Sequence, residues 1–97
     1  MSRVVLSRRA ERDLRRIGRG EALARLREAL EGLAVGEASL DIKPLAGSAL
    51  WHRLRVGDYR VLYRAVKPDD AGDSDARFLV ACVVHRRDLE RAVTTLE

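Results

Sequence analysis

Ninety-seven residues make one domain, expected to run over 1–97, and leave no room for a dinucleotide-binding domain beside a catalytic one or for a barrel of eight βα units. A single cysteine, Cys82, excludes a disulfide framework and fits a reducing cytosol. No apolar run approaches the ~18 to 20 residues that span a bilayer, so a cytoplasmic location with no membrane partner is expected. Nineteen basic against fifteen acidic residues give +4, and all the basic ones except Lys43 and Lys67 are arginine.

The chain opens on a short β-prone run, Arg3 to Leu6, closed by Ser7, a residue suited to cap a helix. Ala10, Leu14 and Ile17 then recur at helical spacing, and Gly18 and Gly20 break that helix. A second helix begins near Glu21, with an apolar stripe of Ala22, Leu23, Leu26, Leu30 and Leu33, and stops near Gly36. So short a break predicts an antiparallel α-hairpin. Residues 37–49 read as loop, with Pro44 working against a regular ladder and Gly47-Ser48 turning the chain.

Three strands follow. From Leu50 to Val56, apolar positions alternate with Trp51, Arg53 and Arg55, and Gly57-Asp58 turns the chain. From Tyr59 to Val66, Arg60, Leu62 and Arg64 share one face. Pro68 to Asp75 is an acidic hairpin loop. Arg77 to Val84 is apolar on both faces, the mark of a central strand. A last short helix starts at Arg87 or Asp88 and carries Leu89, Val93 and Leu96 on one side. The fold class expected is α+β in the order β-α-α-β-β-β-α, with an antiparallel or mixed sheet covered on one face by the α-hairpin and partly open on the other.

Between Leu50 and Arg64 stand four arginines, Arg53, Arg55, Arg60 and Arg64, and one acid. A guanidinium offers a planar fork of donors matched to phosphate and carboxylate. If the two arginine-bearing faces coincide, the open side of the sheet is a cationic platform at roughly the spacing of a nucleic-acid backbone. The alternative is a solvated face whose arginine stems lie over apolar neighbours. At the exit of the central strand, His85 is a group able to move a proton near neutrality. Arg86 and Arg87 are suited to neutralising a phosphate, and Asp88 to capping the helix. A packed or surface histidine is the competing reading for both His85 and His52. Two histidines and a lone cysteine, far apart in sequence, do not make a zinc site, and no phosphate loop is present. Neither metal nor cofactor is expected.

Three runs carry a family resemblance: Lys43-Pro44-Leu45 on to Leu50-Trp51, Arg53-Leu54-Arg55-Val56-Gly57-Asp58-Tyr59-Arg60-Val61-Leu62-Tyr63, and Val84-His85-Arg86-Arg87-Asp88-Leu89. The chain resembles the RelE/ParE superfamily of type II toxin–antitoxin toxins, closest to its RelE branch, over essentially its whole length. The middle run is specific for the superfamily and less so for what a member does.

The resemblance implies a cognate antitoxin, with the ribosome and messenger RNA as further partners. It also implies cleavage in the decoding site without a metal, by attack of the ribose 2′-oxygen on the neighbouring phosphate. Arg60 falls at the family's phosphate-binding arginine. Arg53 and Arg55 fall where RNA is contacted or proton transfer assisted, and Arg86 falls at the arginine that stabilises the pentavalent phosphate. His85 stands where some members have lysine or histidine, and Arg64 and Arg87 are expected to add RNA contacts. Glu90 departs from the pattern, replacing a tyrosine common in the RelE branch. It is either a general base or a sign that cleavage is lost. Members of the ParE branch poison DNA gyrase instead, and an inactive homologue that only binds its antitoxin is the third reading.

Overall fold

Ser7 shows how the local signals set the frame. The computed structural model describes residues 3–66 and 77–96. In it a first strand, β1 (Val4–Leu6), runs straight into helix α1 (Arg8–Ile17) through Ser7, whose Oγ accepts the amide hydrogen of Ala10 at 3.0 Å and so caps the helix. Gly18 ends that helix. Helix α2 (Glu21–Val35) then runs to Gly36, which takes the left-handed conformation (φ 73°) that a residue with a Cβ resists.

The sheet has five strands in the order β1-β5-β4-β3-β2. Strand β2 (Asp41–Pro44) pairs antiparallel with β3 (Trp51–Val56). β3 pairs antiparallel with β4 (Tyr59–Ala65), and β4 with β5 (Phe78–His85), while β1 lies parallel to β5. The mixed sheet, the central place of β5 and the helical cover are as the sequence implies. β2 is a correction. Residues 41–44, expected as loop, form a strand: Pro44 works against a ladder in mid-sheet, but here it ends an edge strand, where proline is tolerated because one side of the strand has no partner to bond. The connection β3–β4 is the two-residue turn Gly57-Asp58. Gly57 has φ +57° and, among the described residues, no non-glycine has a positive φ, the pattern of a type II′ hairpin turn. The expected acidic loop, 68–75, lies outside the described residues.

β1 is too short to cover the whole of β5, and α1 completes the job. Ser7 N–H donates to the Val80 carbonyl at 2.9 Å, and its hydroxyl donates to the Ala81 carbonyl at 2.6 Å. Further on, Asp13 Oδ2 accepts the Val83 amide hydrogen at 2.9 Å. Backbone groups that would otherwise sit unpaired at a part-buried edge thus find side-chain partners.

Two apolar clusters hold the layers. On the helix side, Leu54, Val61, Tyr63, Val80 and Val83 meet Ala10, Leu26 and Leu33 of the two helices. On the other side, Trp51, Leu62 and Cys82 meet Leu45 and Ala92, with Leu89, Val93 and Leu96 packed around them. Ala92 belongs to the last helix, α3 (Leu89–Val93), which follows a 3₁₀ turn over Arg86–Asp88. That second face is therefore closed at one end by α3. Among the described residues, no helix is long and apolar enough to cross a membrane.

Candidate functional site

Strand register decides which side chains share a face. Directly opposed residues on paired strands project to the same side, as do residues two apart on one strand. Arg55 lies opposite Arg60, Arg53 opposite Leu62 and Trp51 opposite Arg64, while Asp41 and Lys43 of β2 lie opposite Arg55 and Arg53. Arg53, Arg55, Arg60 and Arg64 thus occupy one face, the one not covered by α1 and α2. Lys43 joins them, with Asp41 as the acid of that face on β2.

The charges are close enough to act on each other. The guanidinium of Arg60 is held below the ordinary arginine value, first by desolvation and then by repulsion from Arg55, Arg53 and Arg86, with Asp41 opposing. Its Nη1 donates to the carbonyls of Gly57 (2.9 Å) and Tyr59 (3.0 Å), which folds the side chain toward the β3–β4 turn. Arg86 reaches the same turn from the other side: its amide donates to the Asp58 carbonyl at 2.7 Å, and its Nε lies 3.8 Å from Asp58 Oδ1. Asp41 faces both β3 arginines, at 3.7 Å from Arg53 Nη1 and 4.0 Å from Arg55 Nη1. Neither separation is a hydrogen bond. Arg53 Nη1 is buried with no hydrogen-bond partner, a costly condition that an oxygen-rich anion would relieve.

The other sequence candidates are spread out. Arg64 stands at the far end of the face, its guanidinium 5.9 Å from the centre of the Trp51 ring. His85 is opposite Tyr59 and meets it edge to face at 5.8 Å. Tyr59 neighbours Arg60 on β4, so His85 lies on the helix-covered side, in a recess shared with Asp13, Arg16 and Ile17. Its Nδ1 accepts the Arg87 amide hydrogen at 3.2 Å and caps the 3₁₀ turn. The register thus sets His85 on the face opposite the strand arginines, a placement the sequence does not reveal because β5 is apolar on both faces. Arg87 and Glu90 are exposed, the latter in the first turn of α3. His52 stacks on Tyr63 at 5.7 Å, and Cys82 is fully buried. Sequence reasoning missed Asp41 and Lys43 as members of the arginine face, although the alternation Asp41-Ile42-Lys43 was a signal for it.

Over residues 4–90 the chain matches the family described as the ParE toxin of the type II toxin–antitoxin system, parDE. The chain belongs to that family. It is therefore the toxin component of a type II toxin–antitoxin system. The fold agrees. A chain of the RelB–RelE antitoxin–toxin complex from Methanococcus jannaschii superposes with a TM-score of 0.68 at 22% identity, covering 91% of the toxin and 96% of that chain. A chain of the archaeal RelE–RelB complex from Pyrococcus horikoshii OT3 gives 0.59 at 23% identity, covering 88% and 94%. No curated protein matches the toxin in sequence.

Proposed function

We propose that the toxin is a ribosome-dependent endoribonuclease that cuts messenger RNA in the decoding site. The observation that carries this reading is the convergence of Arg53, Arg55 and Arg86 on Arg60 at one end of an open sheet face, with Arg55 directly opposite Arg60. Like charges directly opposed on paired strands destabilise a sheet. A cluster kept against that cost is matched to a polyanion, and its focused positive field is strongest where a phosphate sits.

In this mechanism Arg53 and Arg55 hold the message backbone, with Arg64 and Arg87 as outlying contacts. The 2′-oxygen bonds to phosphorus as the bond from phosphorus to the 5′-oxygen breaks. The 2′-hydroxyl proton leaves to a base, and the 5′-oxygen takes up a proton from water. Arg60 and Arg86 stabilise the charge that grows on the non-bridging oxygens, an interaction worth more in the transition state than in the ground state. Glu90 is the carboxylate this reading assigns to the 2′ proton. His85 acts here through the turn it caps, not on the leaving oxygen. The ribosome supplies the in-line geometry that so small a surface cannot impose alone. The partner that silences the toxin is its cognate antitoxin, an acidic or amphipathic segment complementary to the basic surface.

A second reading is favoured by one observation. The described imidazole of the strand exit, His85, does not face the arginines, and binding without acid–base chemistry is what a DNA gyrase inhibitor needs. Expression in growing bacteria with parallel mapping of messenger ends and DNA breaks separates the two. The nuclease gives new ends inside codons of translated messages and intact DNA. Intact messages with gyrase-dependent breaks replace this reading with the second.

A further inference from the structure

At the far end of the arginine face lies a groove of about 500 Å³ between β3, β4, β5 and the C-terminal residues, open to solvent. Trp51 and Arg64 form one side, Leu50 and Leu79 line it, and Arg9 and Thr95 stand at its rim, joined by a 2.6 Å hydrogen bond. Apolar side chains form part of the walls: Leu50, 53% exposed, stands beside Trp51, Leu79 and Leu96. Charge narrows the choice of occupant. Among the described residues, two arginines line the groove and no acidic residue does. A neutral apolar ligand has no use for that pair, whereas a flat, partly apolar group attached to an anion uses both features.

Continuity narrows it further. Trp51 and Arg64 are opposed across the strands, on the same face as Arg53, Arg55 and Arg60. Four residues along β4 separate Arg60 from Arg64, about 13 Å at the rise of a strand. That is a distance a dinucleotide bridges. The guanidinium of Arg64 already presents a planar cation over an aromatic ring. Aromatic and arginine planes are the surfaces on which single-stranded bases stack, with little regard for sequence.

We propose that this groove is a nucleobase-stacking subsite, in which a base flanking the gripped phosphodiester stacks on the Arg64–Trp51 pair. The inference rests on the RNA reading of the arginine face and adds to it a second point of attachment that recognises a base instead of a phosphate. It also accounts for the separation of Arg64 from the other strand arginines: its role is to stack, and theirs is to bind charge.

Trp51 is the sole tryptophan of the chain, so its emission reports on the groove directly. The test uses the full-length toxin and a short 2′-O-methyl oligoribonucleotide, which cannot supply an attacking hydroxyl, beside an abasic oligonucleotide of the same length and backbone charge. Binding is read by anisotropy and stacking by Trp51 emission. The base-bearing oligonucleotide is expected to bind about 10-fold more tightly than the abasic one and to change the emission, while the abasic one binds without changing it. Arg64→Ala should erase the difference in affinity. Equal affinities with unchanged emission overturn the subsite and leave the backbone reading intact. If neither oligonucleotide binds, both ideas fall together. A response of Trp51 to an acidic amphipathic peptide, with none to either oligonucleotide, assigns the groove to a protein segment and overturns the proposal.

Discussion

The two faces of this sheet are built from the same strands and serve opposite ends. On the helix-covered face, Leu54, Val61 and Val80 are fully buried against α1 and α2. One residue along each strand, on the other face, Arg53 and Arg55 stand close enough to Arg60 to add to the desolvation that lowers its proton affinity. The alternation of a β-strand lets a chain of this size separate the two tasks without enlarging its core. The first face stabilises the fold. The second carries the clustered arginines, faced in part by Asp41 and closed at one end by α3.

Substitutions that act on one face and spare the other sharpen this division. The largest expected effect is on the covered side. Leu26 is fully buried between α2 and the sheet, so Leu26→Ala should cost about 2–5 kcal/mol in chemical denaturation. The protein that remains folded should bind an oligonucleotide with unchanged affinity. Next come Arg60→Ala and Arg86→Ala, each expected to lower message cleavage by about 10²–10³-fold, as for the loss of one preorganised donor to a developing oxyanion. Melting temperature should be unchanged or raised, since a like charge has been removed. A fall in stability matching the fall in activity would make these arginines structural.

Smaller effects probe the boundary between the faces. Asp41→Asn removes the carboxylate that faces Arg53 and Arg55. It should raise affinity for a single-stranded backbone by about 2–5-fold and steepen its salt dependence, at little cost to stability. The smallest effect is alkaline. Burial raises the Cys82 thiol and the Tyr63 phenol above their ordinary values. In both cases the folded state holds its proton after the unfolded state has lost it. Their contribution is therefore complete below the unfolded values and lost as pH climbs through the folded ones. Melting temperature should decline from about pH 8.5 upward, where an ordinary thiol titrates, and Cys82→Ala should flatten the first part of that decline.

Much of this was legible before any coordinates because it is local. Ser7 before a helical stripe, Gly36 after one, and Leu54 alternating with Arg53 and Arg55 each state their role within a few residues. What was not legible is relational. Pro44 hid the edge strand that contributes Asp41 and Lys43, because a proline argues against a ladder unless the strand is known to lie at an edge. The stripe Leu89, Val93 and Leu96 announces a helix that packs, but not that it covers the arginine side near Trp51. The face on which His85 stands is hidden because β5, apolar on both sides, carries no alternation from which to read its phase. Only its pairing with Tyr59 fixes it. Among the site residues, the arginines of β3 and β4 came out of the alternation, and the turn carrying Arg86 needed the register.

The most direct measurement uses purified ribosomes stalled on a defined message, treated with the toxin and read by primer extension. One message is all-ribose, and another carries a single 2′-deoxy nucleotide at the position of the cut. Cleavage within the decoding-site codon of the first, lost on the second and lost with Arg60→Ala, is the result predicted here. A message left whole at saturating toxin, or cut equally well without its 2′-hydroxyl, would contradict the account.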